Sequence, residues 1–499
     1  MGAVIKRVNR WFDQRLGASG FVRTALNKVF PDHWSFMLGE IALYAFLVLL
    51  VTGVYLTFFF EPSVKQVVYH GPYHPLRGVE MSQAYASTLK LSFEVRAGMV
   101  MRQMHHWAAI VFLAAIVVHV GRVFFTGAFR RPREINWIVG CTLMVLAMAN
   151  GFAGYSLPDD QLSGTGLRIA YSIALSIPFA GTWLAYLLFG GEFPAESIIT
   201  RLFVLHVLLI PAIIAVLLTA HMAIVWRQKH TQFRGPGKTE DNVVGSRLWP
   251  SYALKSTGFF FLVSGVIALL GGIAQINPIW LYGPFKPADV SAASQPDWYV
   301  GWLDGALRVF PGWEVRAFGH TLPAVFFPGV LMPTLSFALL YGWPFLEARF
   351  TKENDRERHL LDRPRERPVR TGIGVAVVAF YTLLFLAAGS DVLATVFKIS
   401  VTGLLVLFRV LLLTLPPLLG VVTYRLCREA AAVPDEHEGP PLVVRTASGG
   451  YHISEEDHDG NGAAVPSPGD GPPWPPVSDL PPTEGGGART RSRRRWRAR

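Results

Sequence analysis

The sequence predicts an all-α integral membrane protein, and three features of the chain support this fold class. Hydrophobic residues make up 51% of the 499 residues and charged residues only 16%, against roughly 25% charged in a typical soluble domain. Uncharged apolar runs recur along the chain, and each approaches the roughly 20 residues that span a bilayer. Lysine and arginine are concentrated between alternate runs, as they are on the cytoplasmic side of membrane proteins.

The apolar runs predict eight membrane-spanning helices. Nine runs are present, but the run at 169–191 contains Pro178, Gly181 and Gly191, which favour a bent hairpin along the outer surface. If this run does not cross, the basic segments all lie on one side of the membrane. The predicted helices are 36–60, 99–126, 136–156, 198–226, 253–276, 320–346, 371–390 and 401–424.

The positive charge predicts that both chain termini are cytoplasmic. Basic residues cluster in 1–33, 130–133, 227–255 and 347–370, all on one side if the eight helices alternate in direction. The formal net charge of +11 is therefore interpreted as an orientation signal and an attraction to anionic lipid, and nucleic acid is not an expected partner. Arg409 lies inside the last predicted helix, where we expect it to face a protein partner or a water pocket, because a charge in the membrane is costly.

The helix order divides the chain into four regions. We predict an amphipathic cytoplasmic segment at 1–35, a core of four helices at 36–230 with a surface segment at 160–195, a second group of four helices at 231–428 with an outer loop at 276–319, and a tail at 429–499. The tail is rich in proline, glycine and acidic residues. Such a composition cannot bury a core, so we expect a disordered cytoplasmic tail.

The cysteine content excludes several kinds of metal site. Cys141 and Cys427 are the two cysteines of the chain, too few for a disulfide framework, an iron–sulfur cluster or a thiolate zinc site. No Cys-x-x-Cys-His motif is present, which excludes covalently attached c-type haem.

Four histidines in two predicted helices indicate haem ligation. His105 and His119 are 14 residues apart in the second helix. His206 and His221 are 15 apart in the fourth, and each pair lies on about one helical face with a rise of roughly 21 Å. Both helices run from outside to inside, so each histidine has a partner at its own level, and each level can supply two axial nitrogens to one iron. The first four helices are therefore predicted to form a bundle with two b-type haems, in which His106, rotated by about 100°, is not an expected ligand.

Glycines in two other helices match these histidine levels. The first helix has Gly39 and Gly53, and the third has Gly140 and Gly154, in each case 14 residues apart. Because glycine allows a flat macrocycle to approach a backbone closely, we expect the four glycines to make room for haem at both levels.

Two arginines accompany the histidines of the second helix. Arg102 precedes His105 by three residues, and Arg122 follows His119 by three. We expect their guanidinium groups to bind the anionic haem propionates. The alternative is that both side chains extend to the membrane surface without a haem contact.

Four motifs, in order along the chain, resemble cytochrome b of the cytochrome bc (quinol:cytochrome c reductase) complexes, especially the actinobacterial subunit. They are Arg102-Gln-Met-His105, His119-Val-Gly-Arg122, Gly154-Tyr-Ser-Leu-Pro158 and Pro296-Asp-Trp-Tyr299. The resemblance covers about residues 20–424. It implies a low-potential haem at the outer histidine pair, a high-potential haem at the inner pair, quinol oxidation outside, quinone reduction at the cytoplasmic face, and proton translocation.

The resemblance also implies a quinol oxidation pocket in the outer loop. Its expected residues are Pro296, Asp297, Trp298, Tyr299, Tyr155 and Gly166. In the family the acid of the loop motif accepts a quinol proton, and most members have glutamate there, so the side chain of Asp297 is one methylene shorter. Asp304, seven residues on, would share a face with Asp297 in a helix. It is either a second proton acceptor or a loop acid that faces water.

A quinone reduction site is expected at the cytoplasmic ends of the fourth and fifth helices. Its candidate residues are His230, Lys255 and Ser256. Family members often have a histidine after the inner haem ligand and an acid at the start of the fifth helix, where this chain has Trp226 and Ser256. The resemblance therefore leaves the proton route to this site open.

The resemblance implies a Rieske iron–sulfur subunit and a c-type cytochrome subunit as partners. It further implies a homodimer in the cell membrane, menaquinone as the quinone, and a possible supercomplex with a terminal oxidase. Three alternatives are a photosynthetic quinol:plastocyanin complex, whose helices are usually divided between two chains, a transporter with membrane histidines, and a diheme electron conduit. A transporter would need neither haem nor matched glycines, and a plain conduit would not need the Pro296–Tyr299 loop.

Overall fold

Long helices dominate the structure, because a helix satisfies the backbone hydrogen bonds of an apolar segment internally. The computed structural model describes residues 2–289, 295–317, 319–351, 357–432, 442–445 and 451–454. Among these residues, eight helices are long and apolar enough to cross a membrane. Their number and the predominance of helix confirm the predicted fold class.

The helices are numbered here in chain order. They are α1 (Gly2–Leu16), α2 (Ala18–Leu26), α3 (Trp34–Thr57), α4 (Gln83–Phe93), α5 (Gly98–Thr126), α6 (Glu134–Tyr155), α7 (Gln161–Leu175), α8 (Gly181–Phe189), α9 (Ile198–Gln228), α10 (Leu248–Ile273), α11 (Ile279–Tyr282), α12 (Trp298–Val309), α13 (Phe327–Thr351), α14 (Pro368–Ala388), α15 (Ser390–Phe397) and α16 (Val401–Ala432). The eight that can span a membrane are α3, α5, α6, α9, α10, α13, α14 and α16.

Short strands pair the connecting segments. They are β1 (Val29–Phe30), β2 (Gln66–Val68), β3 (Glu80–Ser82), β4 (Gln232–Phe233), β5 (Ser246–Arg247), β6 (Val315–Ala317), β7 (His320–Leu322), β8 (Leu360–Leu361), β9 (Leu442–Arg445) and β10 (Tyr451–Ser454). The antiparallel pairs are β1 with β5, β2 with β3, β6 with β7 and β9 with β10, whereas β4 and β8 are parallel.

The segments that flank the long helices meet at one end of the bundle, which we call the basic face. The chain before α3 pairs with the α9–α10 connection through β1 and β5, and that connection pairs with the segment before α14 through β4 and β8. Asp362, which is 1% exposed, forms an ion pair at 3.0 Å with Arg130 of the α5–α6 turn. It forms a second ion pair, also at 3.0 Å, with Arg370 in the first turn of α14. The other end of the bundle is called the opposite face.

The apolar run at 169–191 does not form a long helix. Its residues belong to α7 and α8, which are separated by a turn at 176–180 that contains Pro178. Neither helix is among the eight long enough to span a membrane. The structure thus has the bent hairpin that the sequence predicts.

The predicted helix at 320–346 is wrong at its start. His320–Leu322 pairs with Val315–Ala317 in a β-hairpin, in which Arg316 lies opposite Thr321. The long helix α13 begins only at Phe327, with Pro328 in its first turn, where a missing N–H has no consequence. Residues 320–322, at the start of an uncharged run that suggested a helix, therefore belong to a strand.

Only part of the predicted tail at 429–499 lies within the described residues. Helix α16 continues to Ala432, and Leu442–Arg445 pairs with Tyr451–Ser454. Both strands are rich in β-branched or aromatic residues, which favour pairing. The other tail residues lie outside the described part of the chain.

Arg409 has a partner within the protein. Its Nε donates a hydrogen bond to the Val309 carbonyl oxygen at 2.7 Å. Val309 is the last residue of α12, and the carbonyl oxygens of a last helical turn have no N–H donor within their own helix. The arginine thus closes the end of α12 from within α16, as the prediction of a protein partner requires.

Candidate functional site

His105 and His206 are close neighbours in the half of the bundle that is nearer the opposite face. Their ring centroids are 6.0 Å apart. Nδ1 of His105 lies 2.9 Å from the Thr52 hydroxyl oxygen, and Nδ1 of His206 lies 2.9 Å from the Asn150 carbonyl oxygen. These bonds leave Nε2 of each ring for another partner, as in metal-ligating histidines. With metal–nitrogen bonds of roughly 2 Å, two imidazoles on one iron would have centroids about 6 Å apart.

His119 and His221 form a second pair on the side of the basic face. The two side chains are close enough to interact electrostatically. A Cβ added to Gly39 would lie 3.3 Å from Cε1 of His119, and one added to Gly140 would lie 3.5 Å from Cε1 of His221. Each histidine of this pair therefore faces a predicted glycine on a neighbouring helix.

The same arrangement occurs at the first pair. A Cβ on Gly53 would lie 3.2 Å from Cε1 of His105, and a Cβ on Gly154 would collide with the ring of His206. All four predicted glycines thus lie against the four predicted histidines, two at each level. Because glycine leaves the backbone surface open beside each ring, these residues fit a flat macrocycle at both levels.

A π-helical turn at Leu205–Leu209 explains the unequal histidine spacing of α9. A regular helix would rotate His221 by about 60° from His206, against about 40° in the other sense for a spacing of 14. The π turn, which contains His206, accommodates about one more residue than an α turn. The spacing of 15 then becomes equivalent to 14, the spacing of His105 and His119.

Arg102 and Arg122 carry buried donors at the two levels. Arg102 donates through one terminal nitrogen to the Asn277 carbonyl oxygen at 2.8 Å, while its other terminal nitrogen is buried. The guanidinium of Arg122 lies 4.3 Å from the Phe36 ring centroid. Within the described residues, that buried nitrogen of Arg102 and two buried nitrogens of Arg122 have no acceptor. Such donors fit anionic groups such as propionates.

A cavity of about 280 Å³ joins the first histidine pair to the Pro296–Tyr299 loop. Its wall includes Tyr155, Asp297 and Tyr299, together with His106. Nε2 of His106 lies 3.3 Å from Oδ1 of Asp297. Sequence reasoning gave His106 no role, because only the folded loop brings the acid to it. Adjacent histidines of one helix thus face different partners.

A second cavity of about 70 Å³ lies beside the first. It is lined by Tyr155, Gly166, Pro296 and Asp304, which were all predicted to belong to the pocket. Asp297 precedes α12 as its N-cap residue, so the spacing of seven does not put the two carboxylates on one helical face. Asp297 lines the first cavity and Asp304 the second.

Asp304 belongs to a chain of ionic contacts. Its Oδ2 accepts from Nε of Arg308 at 2.9 Å, and Arg308 pairs with Asp391 at 3.0 Å. Asp391 in turn accepts from the Gln295 amide at 2.8 Å. Burial raises the pKa of Asp304 to about 6, although the charge of Arg308 opposes this change.

Trp298, the remaining predicted pocket residue, has a buried indole nitrogen.

The candidates for a second quinone site gather around Phe30 at the basic face. The Phe30 ring lies 4.5 Å from that of His230 and 4.4 Å from that of Tyr252, centroid to centroid. Burial lowers the pKa of His230 to about 4, with the charges of Lys28 and Arg133 adding to the effect. The His230 imidazole is therefore neutral near pH 7.

Lys255 and Ser256 have different surroundings. Lys255 is largely exposed and pairs with Asp32 at 3.0 Å. Ser256 is partly buried and contacts Tyr44 and Glu40, with its hydroxyl 3.4 Å from Oε2 of Glu40. The structure therefore brings Ser256 into the bundle and leaves Lys255 at its surface.

Glu40 is a site residue that the sequence reasoning missed. It follows Gly39 in the first turns of α3 and binds the hydroxyls of Tyr44, Tyr252 and Ser256. An acid beside an apolar run is a sequence signal in its own right, because acids in membrane helices are costly and often functional.

Comparisons with known proteins agree with this geometry. The family described as Cytochrome b(N-terminal)/b6/petB matches residues 110–284. Relatives described as the cytochrome bc1 complex cytochrome b subunit include those of Mycobacterium bovis, 51% identical over 95% of this chain and 88% of the relative, and Mycobacterium leprae, 53% identical over 90% and 82%. The Streptomyces coelicolor subunit is 51% identical over 85% and 77%. A solved hyperthermophilic respiratory Complex III chain is similar in fold, with a TM-score of 0.61 and 21% identity, over 83% of this chain and 99% of that one.

Proposed function

Because the chain belongs to the cytochrome b subunits of the cytochrome bc1 complex, a quinol:cytochrome c oxidoreductase, we propose that it oxidises quinol at the opposite face and reduces quinone at the basic face. Family membership implies that it binds haem b and quinone. Oxidation of one quinol releases two protons outside and two electrons, one for a Rieske iron–sulfur partner and one for quinone across the membrane. Reduction of quinone takes up protons from the cytoplasm.

The observation that carries this proposal is the repetition of one arrangement at two levels. His105 and His206 would hold the outer haem, with Gly53 and Gly154 beside the rings. His119 and His221 would hold the inner haem, with Gly39 and Gly140 beside them. When bound, the two haems supply one-electron carriers between the two membrane faces.

The arginines complete both levels. The buried nitrogens of Arg102 and Arg122 would donate to propionates of the outer and inner haem respectively. Without an anion, these guanidinium donors would be buried at a considerable free-energy cost. Their position at the two ends of α5 is what two separate haem levels require.

Asp297, Tyr299 and Tyr155 would bind quinol in the cavity next to the outer histidine pair. Asp297 is the proposed acceptor of one quinol proton, and the His106 contact at 3.3 Å holds its carboxylate toward the cavity. Pro296 and Gly166 line the adjacent cavity, Trp298 is proposed to support the loop that carries Asp297, and the buried tyrosines would exclude water from the reacting oxygen.

Asp304 is proposed as the second proton acceptor, and its protonation gives a testable pH dependence. A base must be deprotonated to accept a proton, and the Asp304 pKa is about 6. The rate of quinol oxidation should therefore rise with pH through about 6. Asp304→Asn should remove this step and lower the rate at pH 7 by about tenfold. Steady-state quinol:cytochrome c activity of the purified complex between about pH 5 and 8 measures both effects.

Asp289→Asn is the matched control for this variant, because Asp289 is an exposed acid of the same loop region. It should leave the pH profile unchanged. A step near pH 6 that persists in Asp304→Asn would assign the titration to another group.

The quinone reduction site is proposed at the basic face, among His230, Lys255 and Ser256. His230 and Tyr252 flank Phe30, which provides a flat apolar surface for a quinone ring. Neutral His230 can donate or accept one hydrogen bond. Lys255, paired with Asp32 at the surface, would lie on the cytoplasmic entrance of the site.

The charge of the chain supports the proposed orientation and partners. The basic face would be cytoplasmic and would contact anionic lipid, with both termini on that side of the cell membrane. A Rieske subunit and a c-type cytochrome subunit are proposed partners in a homodimeric complex, with association to a terminal oxidase in a supercomplex. Similarity to actinobacterial subunits favours menaquinone as the quinone.

The proposed function is tested by the haem content and activity of the purified complex. A pyridine haemochrome spectrum should give about two haem b per chain, and quinol should reduce cytochrome c in the presence of the Rieske partner. A chain that contains no haem b, or a complex that contains haem but does not oxidise quinol, would contradict the proposal.

A further inference from the structure

The carboxylate of Glu40 is surrounded by hydroxyl groups at the basic-face end of α3 and α10. Tyr44 donates to Oε2 at 3.0 Å, Tyr252 donates to Oε1, and the Ser256 hydroxyl lies 3.4 Å from Oε2. Tyr44 and Ser256 also contact each other. No lysine or arginine of the described residues forms an ion pair with Glu40. The partners of this carboxylate are thus neutral hydroxyl groups, each of which can both donate and accept a hydrogen bond.

The position of Glu40 relates it to the inner histidine level. It follows Gly39, whose Cα faces the ring of His119. Its partner Tyr252 stacks on Phe30, and Phe30 also packs on His230. Glu40 is therefore next in sequence to a glycine of the inner histidine level and shares Tyr252 with the aromatic group proposed to hold quinone.

Polar groups at the surface lie close in sequence to this cluster. Lys255, next to Ser256 in the chain, is exposed and pairs with Asp32 at 3.0 Å. Asp32 also accepts from Ser246 at 2.5 Å. These groups lie on the cytoplasmic side in the proposed orientation, where water can reprotonate an acid that has given up its proton.

We propose that Glu40 supplies a proton to quinone at the inner reduction site and is reprotonated from the cytoplasm by way of the Ser256 and Lys255 end of α10. This inference rests on the proposed function. Full reduction of one quinone takes two electrons, one from each of two quinols oxidised at the opposite face, and two protons. Glu40 donates one proton to a quinone oxygen, and the other is taken up from the cytoplasm. The resulting carboxylate keeps its three hydroxyl donors until it is protonated again.

The test uses the intact complex and a transfer of the carboxylate to the neighbouring helix. Glu40→Gln keeps the size and hydrogen bonds of the side chain but cannot donate a carboxyl proton. Ser256→Asp in the same chain restores an acid next to the original position, because the Ser256 hydroxyl lies 3.4 Å from Oε2 of Glu40. Glu134→Gln, at the start of α6 on the same face, is the control for loss of one negative charge.

Glu40→Gln should retain both haems and lower quinol:cytochrome c turnover by about tenfold or more, with the haems more reduced during turnover. The double variant should regain at least half of the activity, and Glu134→Gln should behave as the unaltered complex. Normal turnover in Glu40→Gln would overturn the proposal, as would a double variant with full haem and no recovery. Loss of haem in both Glu40 variants would show a purely structural role. Failure of the proposed function is distinguishable, because the unaltered complex would then lack haem b or activity.

Discussion

Alanine in place of His119 should lower the haem b content of the complex from about two per chain to about one. The two histidine levels are separated by roughly 21 Å along α5, and each has its own glycines and arginine. Removal of one imidazole leaves the inner iron with His221 alone, whereas His105 and His206 keep their partners Thr52 and Asn150. The remaining haem should therefore belong to the outer level, and sustained turnover should stop.

Haem content per chain and a redox titration of the purified complex measure this result. His106→Ala is the matched control for haem content, because His106 lies on the same helix but contacts Asp297. It should retain both haems. Loss of both haems in His119→Ala would mean that the levels depend on each other, and retention of both would remove His119 from the ligand set.

The histidine pattern shows how much of the site is present in the sequence. Apolar runs and basic segments predict the helices and their direction, and the histidine spacing predicts the pairing by level. The structure places all four glycines next to the four histidine rings. Spacing did not predict the π turn at His206. Spacings of 14 and 15 residues were both interpreted as one helical face. Only the backbone geometry shows that the π turn compensates for the additional residue.

Residues that depend on distant loops were beyond the sequence reasoning. His106 has a partner only because residue 297 folds back over α5, 191 positions along the chain. Glu40 meets Tyr252 and Ser256 across 212 and 216 positions. Hydropathy identifies the helices because lipid acts on every residue of a span, whereas such single contacts depend on how the helices pack.

The start of α13 illustrates the same limit in the fold. Residues 320–322 (His-Thr-Leu) belong to an uncharged run that suggested a helix, yet they pair with 315–317. Pairing between segments only a few residues apart needs little loop entropy. Hydropathy reports burial or lipid contact and does not distinguish a short hairpin from the first turn of a helix.

Gly154→Ala should cause the largest loss among the four glycine variants. An added Cβ at Gly154 would lie 2.7 Å from both Nδ1 and Nε2 of His206. That ring cannot easily move, because Nδ1 is bound to the Asn150 carbonyl oxygen at 2.9 Å. Overpacking of this kind costs about 1–3 kcal/mol, or roughly 5- to 150-fold in outer haem affinity. Haem retention during washing or detergent exchange measures the effect.

Alanine variants of two other glycines show what causes the loss of haem in Gly154→Ala. An added Cβ at Gly140 would make an ordinary contact of 3.5 Å with His221, so Gly140→Ala should retain the inner haem nearly as well as the unaltered protein. Gly265→Ala in α10 is the control, since nothing lies within 4 Å of its Cβ position. If the histidine ring sets the limit, loss should follow the distance to the ring and be far greater at Gly154 than at Gly140. Equal losses at both positions would instead mean that the macrocycle itself occupies the space beside each glycine, so that the clash with the ring is not the deciding contact.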